Sequence, residues 1–174
     1  INGSGKSSAN AKASTLRKKN IMVISSEMPD SITIPGAVAA WSLLHKEHGY
    51  MPWKELFYPA INYAANGIMV HERVALDWEK NVKKLSLDSD TSNIFLKNGT
   101  SFQYMDNFKN KNLSETFRTI ADEGYDGFYR GWVANDMIKK LKSIGGQHTL
   151  EDFGNANAEW VKPISSNYRS FRIH

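Results

Sequence analysis

The chain has 174 residues, of which 41% are hydrophobic and 23% are charged, a composition typical of a folded domain with a packed core. Its net charge of +4 comes from lysines and arginines scattered among acidic residues, so the sequence predicts neither a basic face nor a nucleic-acid partner. Cysteine is absent, which excludes disulfides and thiolate metal sites, and no apolar run is long enough to predict a membrane span.

The spacing of apolar residues predicts a predominantly α-helical chain with extended pieces at both ends. Residues 1–34 lack helical periodicity and are interpreted as an extended N-terminal segment with a turn near Pro29. Residues 35–162 are interpreted as the helical region. Residues 163–174 alternate like a strand, and we interpret them as a terminal strand that the end of the chain truncates.

Proline and glycine mark the ends of the predicted helices. Pro59 lies well inside the second of them and predicts a kink there, or a helix split in two, because proline lacks the N–H that the helix needs. The polar stretch 88–111 is predicted to consist of turns. The helices are predicted at 35–49, 52–67, 71–86, 112–124 and 133–144.

Two pairs of residues have the spacing of a helix cap. Asn112 and Glu115 stand as an N-cap residue and its partner three positions later. Thr149 and Asp152 have the same spacing and predict a short helical turn.

Two glycine-rich stretches raise a nucleotide-binding hypothesis. Gly5-Lys6-Ser7 resembles the end of a phosphate-binding loop, and "SIGGQ" at 143–147 resembles a transporter-ATPase signature. The segment after Ser7 has only one large apolar residue, Leu16, which is too little for a helix that must pack on a sheet. Glycine after an amphipathic helix is the usual C-cap. The pattern therefore favours glycine turns over a nucleotide site.

No other cluster predicts chemistry in this chain. His45 and His48 stand one helical turn apart, but no third metal ligand has a matching spacing. The acidic residues of "DEGYD" at 122–126 lie where a helix ends and favour capping over acid–base catalysis. We predict no catalytic residue, no metal site and no cofactor.

The order of these motifs resembles the large subunit of the gamma-glutamyltransferases (gamma-glutamyltranspeptidases). The first matching stretch is "IPGAVAAWSLLHKEHGYMPWKELFYPAINYAANG" at 34–67. The second, "NLSETFRTIADEGYDGFYRGWVANDMIKKLKSIGGQHTLEDF" at 112–153, carries the family's "EG-x-D-x-FY-x-G" and "GG-x-x-T-x-EDF" patterns. Each piece is a weak pattern alone, whereas the ordered set is specific.

The resemblance implies that the chain belongs to a larger αββα N-terminal-nucleophile hydrolase. In that family, the partner is a small subunit, or C-terminal segment, whose N-terminal threonine attacks a small amide substrate. That threonine is expected beyond His174, so the chain alone is expected to be inactive. The family implies a periplasmic or extracellular location for the transferases and a cytoplasmic one for an acylase-like branch, and the sequence does not choose between them.

Two positions depart from the family pattern and become the substrate-binding candidates. The family's carboxylate-binding arginine falls at Ser4, whereas the acylase-like and amidohydrolase-like branch has "N-G-S-G-R-A-P" where this chain has "NGSGKSS". Lys6 stands for that branch's arginine and keeps its charge but not its bidentate fork. The alternatives are a solvated turn lysine, an acylase-like enzyme with another acyl donor, and a non-catalytic helical binding domain.

Overall fold

The computed structural model describes residues 1–174 and is mainly helical. Eight α-helices and four short strands follow one another along the chain, with a 3₁₀ turn at Pro29–Ser31. The helices are α1 (Ala13–Lys18), α2 (Ala37–His48), α3 (Trp53–Asn66), α4 (Glu72–Leu85), α5 (Ser89–Phe95), α6 (Lys111–Tyr129), α7 (Trp132–Ser143) and α8 (Leu150–Gly154). The strands are β1 (Ile68–Met69), β2 (Asn107–Phe108), β3 (Ser166–Tyr168) and β4 (Phe171–Ile173).

The chain forms two compact units. The terminal unit consists of Ile1–Trp53 and Asp122–His174, and the central unit is Lys54–Ala121. The strands pair within units as two antiparallel ladders, β1 with β2 and β3 with β4. No helix combines the length and the apolar character needed to cross a membrane.

Tyr129 lies at the centre of the terminal unit and is completely buried. Its hydroxyl donates to the carbonyl of Pro35 at 2.6 Å and accepts the N–H of Ala39 at 3.1 Å. The N-cap residue of α2 is Gly36, which has no side chain to satisfy the first N–H groups of the helix. Tyr129 therefore supplies the missing cap from a distant part of the sequence.

A break in α6 places Tyr129 at this position. Gly124 adopts φ 64° and ψ −140°, a conformation that favours glycine, so the helical path changes direction there. The residues after the break pack their rings together: the ring centroids of Tyr125 and Tyr129 are 4.5 Å apart, and those of Phe128 and Tyr129 are 4.8 Å apart. The predicted helix end at Gly124 is thus a change of direction, after which a further helical turn follows.

The central unit has its own aromatic cluster around Trp78 of α4. The ring of Trp78 lies 4.9 to 6.3 Å from the rings of Phe95, Phe102 and Phe108. Phe108 also pairs with Ile68 across the β1–β2 ladder, which joins the cluster to the end of α3. The unit is therefore held together by aromatic packing between α4, α5 and β2.

Several local predictions were wrong. The stretch 88–111 contains α5, whose N-cap Asp88 accepts the N–H of Thr91 at 2.9 Å. The N-cap of α6 is Asn110, which accepts from Leu113 at 3.0 Å, because the helix begins before Asn112.

Helix α3 continues through Pro59 as one element, so of the two expected outcomes, a kink or a split helix, the split does not occur. Two other elements differ from expectation. A β-hairpin stands where we expected a single terminal strand. Its strands β3 and β4 pair antiparallel, and the turn between them contains Arg169 at φ 54°. The short α1 lies in a stretch without helical periodicity, where we predicted extended chain.

Replacing Tyr129 with phenylalanine tests the buried cap. Tyr129→Phe keeps the ring but leaves the carbonyl of Pro35 and the N–H of Ala39 without their partner, so we expect the free energy of unfolding to fall by about 1–3 kcal/mol. Urea unfolding measures the change. Tyr104→Phe removes a hydroxyl from a ring that is 59% exposed and should change stability by less than about 0.5 kcal/mol. Equal effects of the two substitutions would contradict the cap.

The hydroxyl of Tyr129 also makes the free energy of unfolding depend on pH. Burial raises the pKa of Tyr129 to about 12, against a smaller lowering by the Ala39 N–H. Above pH 10 the unfolded chain releases this proton while the folded chain keeps it, so the wild type loses stability between about pH 10 and 12. Tyr129→Phe has no such proton, and the stability gap between the two proteins should narrow as the pH rises through that range. A gap that stays constant in urea titrations at those pH values would argue against the buried neutral hydroxyl.

Candidate functional site

A cavity of about 450 Å³ lies in the terminal unit beside the N-terminal loop. Three segments form its walls: the loop itself, the turn that leads into α2, and α8 with the residues that follow it. Its lining residues are Ser4, Gly5, Lys6, Ser7, Ser8, Ala9, Ala11, Ile34, Gly36, Asp152, Asn155, Ala156 and Asn157.

Two close backbone contacts hold the loop against the turn before α2. A Cβ atom added to Gly36 would lie 1.8 Å from the carbonyl oxygen of Gly3, and one added to Gly5 would lie 1.7 Å from that of Ile34. The N–H of Ile34 donates to the carbonyl of Lys6 at 2.9 Å. Only glycine allows this approach, so the backbone on either side of Ser4 and up to Lys6 is fixed relative to α2.

A single carboxylate holds the other end of the loop. Asp152 Oδ1 accepts the N–H of Ala9 at 2.9 Å. Its Oδ2 accepts the N–H of Thr149 at 2.8 Å, the hydroxyl of Thr149 at 3.0 Å and the hydroxyl of the buried Ser8 at 3.2 Å. Thr149 and Asp152 form a capping box at the start of α8, which confirms the predicted cap.

These hydrogen bonds decide the ionisation of Asp152. Burial alone raises the pKa of its carboxyl group, but hydrogen bonds from the N–H groups of Ala9 and Thr149 and from the hydroxyls of Thr149 and Ser8 outweigh burial. The pKa is therefore lower than the usual value. An ionised carboxylate whose two oxygens already accept four donors is suited to holding structure and is a poor general base.

Both predicted substrate-binding residues lie on the cavity wall, and both are exposed. The backbone N–H of Ser4 donates to Asn2 Oδ1 at 3.0 Å. Lys6 and Asp152 are the two charged residues of the lining. Because Asp152 is occupied by backbone and hydroxyl donors, the ammonium group of Lys6 has no carboxylate partner in the cavity.

The two histidines and the glycine turn considered in the sequence analysis make contacts that stabilise the fold. His45 Nε2 lies 2.8 Å from the carbonyl oxygen of Met51, and the ring of His45 contacts Trp53 edge-on. The ring of His48 contacts Trp160 in the same way. No three His, Cys, Asp or Glu residues gather where they could hold a metal ion. Gly145, at φ 88°, ends α7 as a C-cap glycine does.

The sequence did not reveal that Asp152 contacts the N-terminal loop. Its spacing from Thr149 indicates the local cap, but nothing in the spacing indicates a bond to Ala9, 143 residues earlier in the chain. Asn155 and Asn157 of the cavity wall likewise follow α8 without any recognisable motif.

The arrangement of the helices is that of an N-terminal-nucleophile hydrolase. The chain belongs to the gamma-glutamyltranspeptidase family, whose model, described as "Gamma-glutamyltranspeptidase", matches residues 1–174. It is 31% identical over 173 residues to the glutathione hydrolase-like YwrD proenzyme of Bacillus subtilis, and this match covers 99% of the chain and 33% of that protein.

Two solved structures resemble the chain closely. The gamma-glutamyltranspeptidase of Helicobacter pylori superposes with a TM-score of 0.91 and 30% identity, over 98% of this chain and 50% of that one. The cephalosporin acylase of Bacillus halodurans superposes with a TM-score of 0.89 and 28% identity, over 98% of this chain and 33% of that one. The chain thus spans a third to a half of the length of these relatives.

Adding one methyl group at Gly36 tests the close backbone contact. In Gly36→Ala the new Cβ meets the backbone oxygen of Gly3, which cannot rotate away, so we expect the free energy of unfolding to fall by about 2–3 kcal/mol or more. Gly154→Ala is the matched control, because its Cβ has no neighbour nearer than Arg130 Nε at 3.9 Å, and its effect should stay within about 0.5 kcal/mol. Urea unfolding compares the two variants, and a loss of the same size in both would refute the contact.

Proposed function

We propose that this chain is the helical part of the large subunit of a gamma-glutamyltransferase-like enzyme and that its cavity receives the acyl group of the substrate. The observation that carries the proposal is Lys6, an exposed residue of the cavity lining whose only carboxylate, that of Asp152, already accepts other donors. A small anionic group in the cavity would be the partner of that charge. Ser4, two residues away on the same wall, would add a hydroxyl donor.

On this proposal the chemistry is acyl transfer, and the nucleophile comes from another segment. A threonine at the N-terminus of the small subunit, or of an equivalent C-terminal segment, attacks the amide carbonyl and forms an acyl-enzyme. Water or an acceptor amine then releases the acyl group. Residues 1–34 contribute the loop of the cavity, residues 35–162 contribute the helical scaffold, and residues 163–174 lead toward the remainder of the enzyme.

An acylase-like specificity is the second candidate, and Lys6 is the observation that favours it. A lysine presents a point charge and no planar fork, so it binds a carboxylate without fixing its orientation. The cavity also lacks an unoccupied carboxylate for the α-ammonium group of a gamma-glutamyl donor. This wall therefore selects the anionic end of the acyl group, and the rest of the enzyme decides whether an amino group is required.

Three amides that share one leaving group test this proposal in the full-length protein. The gamma-glutamyl amide has both a terminal carboxylate and an amino group, the glutaryl amide has only the carboxylate, and the 4-aminobutyryl amide has only the amino group. Lys6→Ala should lower kcat/KM about 10- to 100-fold for the two carboxylate-bearing amides, the loss of one charged hydrogen bond, and leave the third nearly unchanged. Steady-state kinetics measures all three.

Two control variants distinguish the effect of the charge at position 6 from the effect of removing any exposed lysine. Lys6→Arg should keep most of the activity, because the charge is retained at the same place. Lys162→Ala removes an exposed lysine that does not line the cavity and should leave all three amides unaffected. If Lys6→Ala lowers kcat/KM equally for all three amides, or for none of them, Lys6 is a solvated turn residue. Turnover of the glutaryl amide in preference to the gamma-glutamyl amide would favour the acylase-like candidate.

A further inference from the structure

We propose that Asp152 is a positioning residue for the cavity, fixing the loop at Ser8 and Ala9 so that Lys6 keeps its place on the wall. This inference rests on the proposed function for its effect on substrate. The hydrogen bonds themselves do not depend on that function. The inference gives the carboxylate of Asp152 a second role besides capping the N-terminus of α8.

The two oxygens of Asp152 have different partners. Oδ2 completes the capping box through the N–H and hydroxyl of Thr149. Oδ1 takes no part in the cap and accepts only the N–H of Ala9 among the bonds to this carboxylate. A capping box requires one side-chain acceptor for the N-cap N–H, so Oδ1 would be unnecessary if Asp152 served only as a cap.

The hydroxyl of Ser8 extends this contact along the loop. Ser8 is buried, and its Oγ lies 2.9 Å from the carbonyl oxygen of Gln147 and 3.2 Å from Asp152 Oδ2. The same Oγ accepts the N–H of Asn10 at 3.2 Å, and the carbonyl of Ser8 accepts the N–H of Ala11 at 3.0 Å. The N–H groups of three consecutive residues, 9 to 11, thus depend on the Ser8–Asp152 contact.

Lys6 lies between two fixed points of the backbone. On one side its carbonyl accepts the N–H of Ile34, and Gly5 lies against the carbonyl of Ile34. On the other side, Ser8 and Ala9 are held by Asp152. Without the bonds to Asp152, this second point is held only through the carbonyl oxygen of Gln147, which lies 2.9 Å from Ser8 Oγ and 3.3 Å from Asn10 Nδ2. The loop is then held more loosely at this end, and the exposed side chain of Lys6 samples a wider range of positions.

The substitution Asp152→Asn removes one acceptor and keeps the size of the side chain. Asparagine has one oxygen, whereas Asp152 accepts the N–H of Ala9 on one oxygen and that of Thr149 on the other. In either orientation the amide NH₂ faces one of these N–H donors. Thr149→Ala removes the hydroxyl that caps α8 and leaves both of those backbone bonds available, so it isolates the cap from the loop contact.

Hydrogen exchange in the full-length protein, followed by mass spectrometry, tests the positioning directly. We expect the amides of residues 9–11 to exchange about tenfold faster in Asp152→Asn and at the wild-type rate in Thr149→Ala. Asp106→Asn is a further control, since Asp106 also accepts a backbone N–H, that of Gln103 at 2.9 Å, but lies in the central unit. Because the asparagine oxygen can face Ala9 instead of Thr149, Asp152→Ala, which removes both acceptors, is measured beside Asp152→Asn. Unchanged exchange in both variants, or equal acceleration in Thr149→Ala, would overturn the positioning role.

Kinetics then tests whether the loop positions Lys6 for substrate. In Asp152→Asn we expect KM for the glutaryl and gamma-glutamyl amides to rise about tenfold, while kcat for these two amides stays near wild type. For the 4-aminobutyryl amide we expect both KM and kcat to stay near wild type. Faster exchange without this KM effect would overturn the link to Lys6. If the wild type cleaves none of the three amides, the proposed function fails, and the exchange result still decides the role of Asp152.

A second variant covers the case in which Asp152→Asn does not fold. Ser8→Ala leaves the bond between Ala9 and Asp152 in place but removes the acceptor for Asn10. We expect faster exchange at residue 10, with a smaller rise in KM for the carboxylate-bearing amides than in Asp152→Asn. Wild-type exchange in Ser8→Ala would contradict the contact described here.

Discussion

The terminal unit depends on one buried hydroxyl. Tyr129 is fully buried and satisfies both the carbonyl of Pro35 and an N–H at the start of α2, a helix that begins at a glycine and cannot cap itself. A buried backbone group without a partner costs free energy comparable to a lost hydrogen bond. The conformation of the Pro35–Gly36 turn therefore follows from the position of Tyr129, which in turn follows from the break at Gly124.

The cavity is built on that turn. Gly3 and Gly5 approach the backbone of Ile34 and Gly36 so closely that no side chain fits between them, and Asp152 holds the loop at its other end. The cost of burying the carboxylate is offset by its four hydrogen-bond donors, none of which is Lys6. The lining thus carries one positive and one negative side chain, Lys6 and Asp152, that do not form an ion pair with each other.

Features that are local in sequence could be predicted, and features that join distant segments could not. The capping box of Thr149, the C-cap at Gly145 and the main helices follow from short-range spacing and glycine chemistry. The cap of α6 was misplaced by two residues because Asn110 and Asn112 offer similar side chains, and only the backbone decides which of them accepts from the first turn. Helix α5 was missed because it is short and polar and is ended by Leu96 without a glycine.

The candidate site shows the same division. Ser4 and Lys6 could be named because a family pattern places charged residues there, and both line the cavity. Asp152 could be named only as a cap, since a bond to a residue 143 positions away leaves no trace in the spacing. Tyr129 is the tyrosine of the "EG-x-D-x-FY-x-G" pattern, but its hydroxyl bonds to α2 depend on tertiary packing that the pattern does not describe.

The close approach of the two glycine-bearing segments also bears on how such a pocket changes over evolution. Because the close approach is between backbone atoms, the side chains at positions 4 and 6 contribute nothing to it and remain exposed. Residues there can be exchanged, serine for arginine or lysine for arginine, at little expense to folding. On the proposed function, substrate preference would therefore diverge through two point substitutions on an unchanged scaffold, without insertions or loop remodelling.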